Sequence, residues 1–193
     1  GNFFARPARN EDEGGDGMAV ACTGHDRNMT ITISGEVDHH GAKQIMEEKF
    51  GHKSKNRYDL NPDEEVLLCQ WAKEEHDSDF VFVTHFPSAK RPFYAKDDPE
   101  DPKLALSFDL LFRGLEITTG GQRIHDYQEQ MDKLEARKMN AELFESFTML
   151  HKYGMPPHGG LGIGLERLTM QLLGLNNIRE ASMFPRDMNR LEP

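Results

Sequence analysis

The stretch Leu104 to His125, LALSFDLLFRGLEITTGGQRIH, decides the fold. Its apolar, β-branched and aromatic content predicts one extended strand, or two strands broken near Gly114 and Gly120-Gly121, with the glycines marking bulges or close backbone approach. Upstream, the compact run DFVFVTHF from Asp79 predicts another strand, and a second pair is expected across the acidic turn DDPEDP at 97 to 102, giving a hairpin-type antiparallel sheet. Downstream, Tyr127, Met131 and Leu134 share one helical face, and Leu143, Phe147 and Leu150 share another that ends at Gly154, before Met155-Pro156-Pro157. Gly159 to Gly164 then reads as a glycine-rich strand or loop leading into a helix with Leu165, Leu168 and Leu172 inward. Ahead of the sheet, Asn61-Pro62-Asp63-Glu64-Glu65 has the signature of a helix start, with Asn as N-cap, Pro in the first turn and acids at the positive end of the dipole. That helix is expected to run to about His76. Met29 to Ser34 alternates like a half-buried strand, and Asn10 to Gly17, NEDEGGDG, is too polar and glycine-rich to be anything but loop. The pattern predicts an α/β (α+β) domain, a largely antiparallel sheet flanked by helices.

The 193 residues carry 23 Lys plus Arg against 33 Asp plus Glu, a formal net charge of −10. This excludes a simple polybasic nucleic-acid or membrane-surface binder, so any basic site must be local. No run approaches the roughly 18 apolar residues of a transmembrane helix, and no membrane partner is expected. Two cysteines, Cys22 and Cys69, stand in no metal spacing and read as free thiols of a reducing, cytoplasmic protein. Neither a P-loop nor a G-x-G-x-x-G opening a βαβ unit is present, so neither familiar nucleotide fold is indicated.

Two constellations could carry chemistry. In GGLGIGLERL, Gly159 to Leu168, the glycines at 160, 162 and 164 strip side chains from alternate positions of a strand, making a floor for a flat ligand. Arg167 follows one turn into the next helix, where a guanidinium can stack on a base or fork onto phosphate; tight strand-helix packing is the competing reading. In GLEITTGGQRIH, Glu116, Thr119 and Arg123 offer hard oxygen donors for a divalent cation and a fork for an acidic ligand. Strict pleating puts Glu116 and Thr119 on opposite faces, so they share a ligand only if the strand is twisted or bulged; otherwise Glu116 is a solvated residue of an edge strand. His39-His40 lacks a third ligand at useful spacing, and Lys90-Arg91 beside Phe93-Tyr94 reads more simply as a solvated turn.

FPSAKRPFY at 86 to 94, FDLLFRGLEITTGGQRIHDY at 108 to 127, KYGMPPHGGLGIGLERLTM at 152 to 170 and NIREASMFPRD at 177 to 187 together resemble the C-terminal part of the class II aspartyl-tRNA synthetase catalytic domain, of archaeal and eukaryotic type. GLGIGLERL resembles motif 3 of that class. The likeness covers residues 58–193, while residues 1–57 match poorly. It implies a class II antiparallel sheet, incomplete in this chain, and an ATP-dependent ligase that joins L-aspartate to tRNA as a homodimer in the full-length enzyme. By position, the resemblance implies that Arg167 contacts ATP catalytically with Gly164, Leu165 and Glu166 beside it. It implies that Glu116 binds ATP and Mg²⁺, that Thr119 touches Mg²⁺ and the amino acid, and that Arg123 contacts the substrate aspartate. Motifs 1 and 2 of the class are not found in residues 1–57, so the isolated chain is expected to hold part of an active site and little activity. The asparaginyl branch, an asparagine synthetase-like paralogue and a non-catalytic synthetase-like module remain the alternatives; the GGQRIH and MPPHGG wording favours the aspartyl branch.

Overall fold

In the computed structural model, residues 20–21, 30–31 and 36–192 are described. The loop expected at 10–17, Cys22 and most of the strand expected at 29–34 lie outside them. Val20–Ala21 (β1) and Thr30–Ile31 (β2) form a short antiparallel ladder. The main sheet has five strands in the order Glu36–Asp38 (β3), Phe80–Thr84 (β4), Ser107–Phe112 (β5), Leu115–Gln122 (β6) and Gly159–Ile163 (β7). β4 to β7 are antiparallel neighbours, as the sequence predicts, whereas β3 pairs parallel with β4. That parallel pairing needs a crossover, supplied by two helices, His39–Phe50 (α1) and Pro62–His76 (α2). Residues 36–57, set apart by the sequence reading, therefore supply strand β3 to the sheet and helix α1 to the core packed on it.

α2 spans the predicted residues. Its first turn is tied down by Glu64, whose carboxylate is fully buried and accepts from the Asn61 N–H at 2.8 Å and from Lys43 Nζ of α1 at 2.7 Å. Burial alone would raise the Glu64 pKa, but these donors hold it below the ordinary value. Ala42 from α1 and Leu68, Cys69 and Ala72 from α2 pack on Val81, Val83, Phe86 and Leu111 to form the larger core. On the other face of the sheet, Phe80, Phe112 and Ile117 form a second cluster, with the Phe80 and Phe112 rings stacked at 4.2 Å.

The stretch from 104 to 125 is two strands, and the break is at Arg113-Gly114 only. Both residues have positive φ, 49° and 87°, the geometry of a two-residue hairpin whose twist matches the strands it joins. Gly120 and Gly121 run through β6 unbroken. The strand pair expected across 97–102 reduces to isolated bridges, Asp97 with Ala105 and Ala95 with Arg123, because four acids and two prolines in DDPEDP leave few positions suited to a ladder.

Three helices follow β6 in chain order. Tyr127–Ala136 (α3) buries Leu134 as expected, together with Gln130. In Glu145–Lys152 (α4) the buried residues are Thr148 and His151, and Leu143 and Leu150 are exposed, contrary to the expectation. The reason is local: residues 141–144 form a 3₁₀ turn, which shifts the phase before α4 begins. In Leu165–Leu173 (α5), Leu168 packs on the Phe80 cluster, while Leu165 and Leu172 are exposed. The predicted inward stripe is thus one residue wide among the described contacts.

Gly114→Ala is expected to destabilise the 193-residue chain by about 1–2 kcal/mol, since alanine has to enter the left-handed region. Its Cβ would also meet Val66 Cγ2 at 3.1 Å. The denaturant midpoint compared with wild type checks this.

Candidate active site

The register of β5, β6 and β7 places the predicted residues. Pairing slips between Leu110 and Leu111: Leu110 faces Thr118, but Leu111 faces Glu116, so Ile117 is the extra residue of a β-bulge. Asp109 and Leu111 lie two apart on β5 and share a face, so their partners Thr119 and Glu116 share it too. The bulge that the sequence left conditional is present. On the same face, β7 opposes Gly162 to Thr119 and Gly160 to Gly121, so the glycine floor continues across the strand pair.

Each glycine on this face has its own reason. A Cβ on Gly121 would lie 2.7 Å from the Leu106 carbonyl oxygen and 2.9 Å from Ser107 Cα. A Cβ on Gly160 would lie 2.9–3.4 Å from the Arg123 guanidinium, whereas at Gly162 it would meet nothing within 4 Å. Gly160 thus makes room for Arg123, and Gly162 leaves open floor.

A cleft of about 260 Å³ stands over this floor, lined among others by Arg91, Tyr94, Ser107, Thr119, Arg123 and Gly162. Arg123 is anchored by its own N–H to the His158 carbonyl at 3.0 Å, and its guanidinium lies 4.0 Å from the centre of the Tyr94 ring. Thr119 and Arg123 therefore meet in one cleft. Beside it, Glu116 of β6 pairs with Arg167 of α5. Arg167 Nη1 donates to the Glu116 carbonyl at 2.7 Å and lies 3.8 Å from its carboxylate. Gly164, the N-cap of α5, donates its N–H to the Ile117 carbonyl, and a Cβ there would press on the Arg167 side chain at 3.3 Å. Leu165 and Glu166 are exposed beside them.

Two residues of this face escape the sequence reading. Asp109 is buried and takes a bidentate pair from Arg91, Nη1 to Oδ1 at 3.0 Å and Nη2 to Oδ2 at 2.7 Å. Arg91 Nη1 also donates to Thr119 Oγ1 at 3.2 Å, and its guanidinium covers the Phe86 ring at 3.8 Å. The reading of Lys90-Arg91 as a solvated turn is corrected for Arg91, which is largely buried. The available signal was an acid standing among apolar residues in SFDLLF, which demands a buried cation partner.

The electrostatics are crowded. Burial raises the Glu116 pKa, and Asp109 raises it further, while Arg167 and Arg91 act against the rise. Glu65 of α2 accepts the Glu116 N–H at 2.8 Å and is raised by burial and by the Glu116 charge. Elsewhere, His39 is buried with its pKa pushed down to about 4, chiefly by desolvation and then by Lys43, so it is a neutral ring packed on Phe86. No group of three or more His, Cys, Asp or Glu among the described residues is arranged to hold a metal, and the His39-His40 pair is none. Burial pushes the Cys69 thiol up to about 11, which leaves it inert as a nucleophile.

The antiparallel sheet, its glycine floor and the arginine in the first turn of α5 agree with the class II resemblance of the sequence. The family model for tRNA synthetases class II (D, K and N) matches residues 19–188, and the chain belongs to this family. The match begins upstream of residue 58, where the resemblance in sequence begins. The aspartate–tRNA(Asp/Asn) ligase of Deinococcus radiodurans is 52% identical over 157 residues, covering 79% of this chain and 36% of that protein. In structure, the chain is similar to the aspartyl-tRNA synthetase of Entamoeba histolytica, with TM-score 0.77 and 36% identity over 82% of this chain and 32% of that one. It is also similar to the asparaginyl-tRNA synthetase of Pyrococcus horikoshii, with TM-score 0.73 and 36% identity over 82% of this chain and 37% of that one. The chain thus spans about a third of the length of the relatives it matches.

Because its folded-state pKa is raised, Glu65 contributes stability that is present below the ordinary carboxylate pKa and lost as pH rises through the folded value. Glu65→Gln keeps an acceptor for the Glu116 N–H and removes that loss. The variant is expected to gain in unfolding midpoint over wild type at pH 7, with the gain shrinking towards pH 4, in paired melts across that range.

Proposed function

We propose that this chain is the C-terminal part of the catalytic domain of an aspartate–tRNA ligase. The observation that carries the reading is the bulge at Ile117, which gives Glu116 and Thr119 one face beside the Arg123 cleft. The identity to the Deinococcus radiodurans ligase supports the same assignment. In the reaction, a carboxylate oxygen of L-aspartate attacks the α-phosphorus of ATP, the bond to the bridging oxygen breaks, and pyrophosphate leaves with the electron pair. A hydroxyl of the terminal adenosine of tRNA then attacks the acyl carbon, its proton passing to the departing phosphate, and AMP leaves.

In this reading Arg123 holds one of the two carboxylates of L-aspartate by a fork, leaving the other to attack the α-phosphorus. The Tyr94 ring beneath fixes the plane of the guanidinium, so the fork needs no rearrangement on binding. Arg167 faces the phosphates of ATP, with Gly164, Leu165 and Glu166 beside the nucleotide. Glu116 and Thr119 supply oxygen ligands to Mg²⁺, which neutralises phosphate charge when bound. The donor set fits: the Glu116 carboxylate stands close enough to Asp109 for their charges to interact. Mg²⁺ keeps several waters and takes only one or two protein carboxylates when it also binds phosphates. A homodimer and a tRNA partner belong to the whole protein. The free, buried Cys69 fits a reducing, cytoplasmic location. No helix among the described residues is long and apolar enough to cross a membrane.

A second reading, asparaginyl-tRNA synthetase, is favoured by the likeness to the Pyrococcus horikoshii structure. Titration of the chain with non-hydrolysable aspartyl- and asparaginyl-adenylate analogues, followed by amide chemical shifts, separates the two. The aspartyl analogue is expected to move Thr119, Arg123 and Arg167 and to bind at least tenfold more tightly. Arg123→Lys is expected to reduce that affinity by tenfold or more, because an ammonium cannot reproduce the fork. Preference for the asparaginyl analogue would transfer the assignment to the other branch, and binding of neither would overturn both.

A further inference from the structure

Ser107 is 5% exposed, and its hydroxyl has no hydrogen-bond partner among the described residues. Its backbone is fully employed, with the carbonyl accepting the His85 N–H and the N–H donating to Ala105. A buried hydroxyl without a partner costs free energy, and such groups mark sites completed by something else. The surroundings of this one are specific. Ser107 opens β5 directly opposite Gly121, which is itself opposite Gly160 on β7. These three form one row across the floor, on the face that carries Asp109 and Thr119.

Along it, Gly121 is pressed against the Leu106 carbonyl and Ser107 Cα, Ser107 stands at one end, and the Arg123 guanidinium covers Gly160 at the other. Neighbouring strands are about 4.8 Å apart, so the two ends stand roughly 10 Å apart at the backbone, and less between side-chain tips. A four-carbon amino acid with carboxylates at both ends spans such a distance with a hydrogen bond at each. Ser107 also lines the same cleft as Arg91, Thr119 and Arg123. The lining is cationic, which favours the hydroxyl as donor to an anionic oxygen.

We infer that Ser107 is a further binding residue for the amino-acid substrate, its hydroxyl donating to a carboxylate oxygen of the acid whose other end is held by Arg123. This rests on the reading of the cleft as an aspartate site. The hydroxyl contributes to selection of the amino acid and has no part in nucleotide binding. Gly121 makes the arrangement possible, since any side chain there would collide with the Leu106 carbonyl and Ser107 Cα and push Ser107 out of the row.

The test is calorimetric titration of L-aspartate and, separately, of Mg-ATP into the 193-residue chain and into Ser107→Ala and Ser107→Cys. Ser107→Ala is expected to bind L-aspartate roughly tenfold more weakly, with ATP affinity within twofold of wild type, and Ser107→Cys, a weaker donor of similar size, to fall between. Equal L-aspartate affinity in wild type and Ser107→Ala, with both folded by thermal melt, overturns the role of Ser107 and leaves the cleft assignment standing. Parallel loss of aspartate and ATP binding overturns it as well, by making the effect structural. Failure of wild type to bind L-aspartate at all overturns the cleft assignment and the role of Ser107 with it.

Discussion

The site depends on one extra residue in one strand. Without the bulge at Ile117, strict alternation would send Glu116 to the face opposite Thr119, and the carboxylate would lie under α5 instead of beside the cleft. The bulge has a second effect. It sends Ile117 into the apolar cluster with Phe80, Phe112 and Leu168, so that burial on one face fixes a polar register on the other. The core is what makes the bulge unique in position: a slip of one residue in β6 would expose Ile117 and bury Glu116 at once.

A second constraint fixes the cleft wall. Arg91 is held from three directions, by Asp109, by Thr119 and by the Phe86 ring, and the chain that follows it carries Tyr94 beneath Arg123. α3 and α4 secure this segment from behind. Gln130 donates to the Phe93 carbonyl, Arg137 to the Ser88 carbonyl, and the Phe93 ring packs against Phe144 and Phe147. His151 meets the Ile124 carbonyl just beyond Arg123. Helices remote from the floor thus hold the two arginines of the cleft in fixed relation, which is the preorganisation that binding a small charged ligand requires.

The sequence made the local signals legible and the non-local ones not. Asn61 and Pro62 located α2 because capping is a matter of adjacent residues, and the glycine spacing at 160 and 162 showed a bare strand face because pleating is strictly periodic. The parallel pairing of β3 with β4 was out of reach, since it joins residues more than 40 positions apart through two helices. Arg91 was misread for the same reason: its partners Asp109 and Thr119 lie 18 and 28 residues away. Leu165 and Leu172 show the limit of amphipathic patterning, because the pattern reports what a helix can bury and not which neighbour is there to cover it.

Charge explains how the parts of the proposed site depend on each other. Asp109, Glu116 and Glu65 stand close enough that burial and mutual repulsion disfavour the anionic forms of both glutamates, with Arg91 and Arg167 offsetting part of the effect. A nucleotide arriving alone would add phosphate charge to this cluster and worsen it. A divalent cation reverses the sign, favouring ionised Glu116 and attracting phosphate in the same step. On the proposed reading, metal and nucleotide would therefore be coupled through Glu116, each raising the affinity for the other by the same factor in either order. The cleft at Arg123 carries the opposite sign and needs no such help, so in the proposed function the amino acid and the metal-nucleotide pair would occupy neighbouring parts of one face under different electrostatic rules.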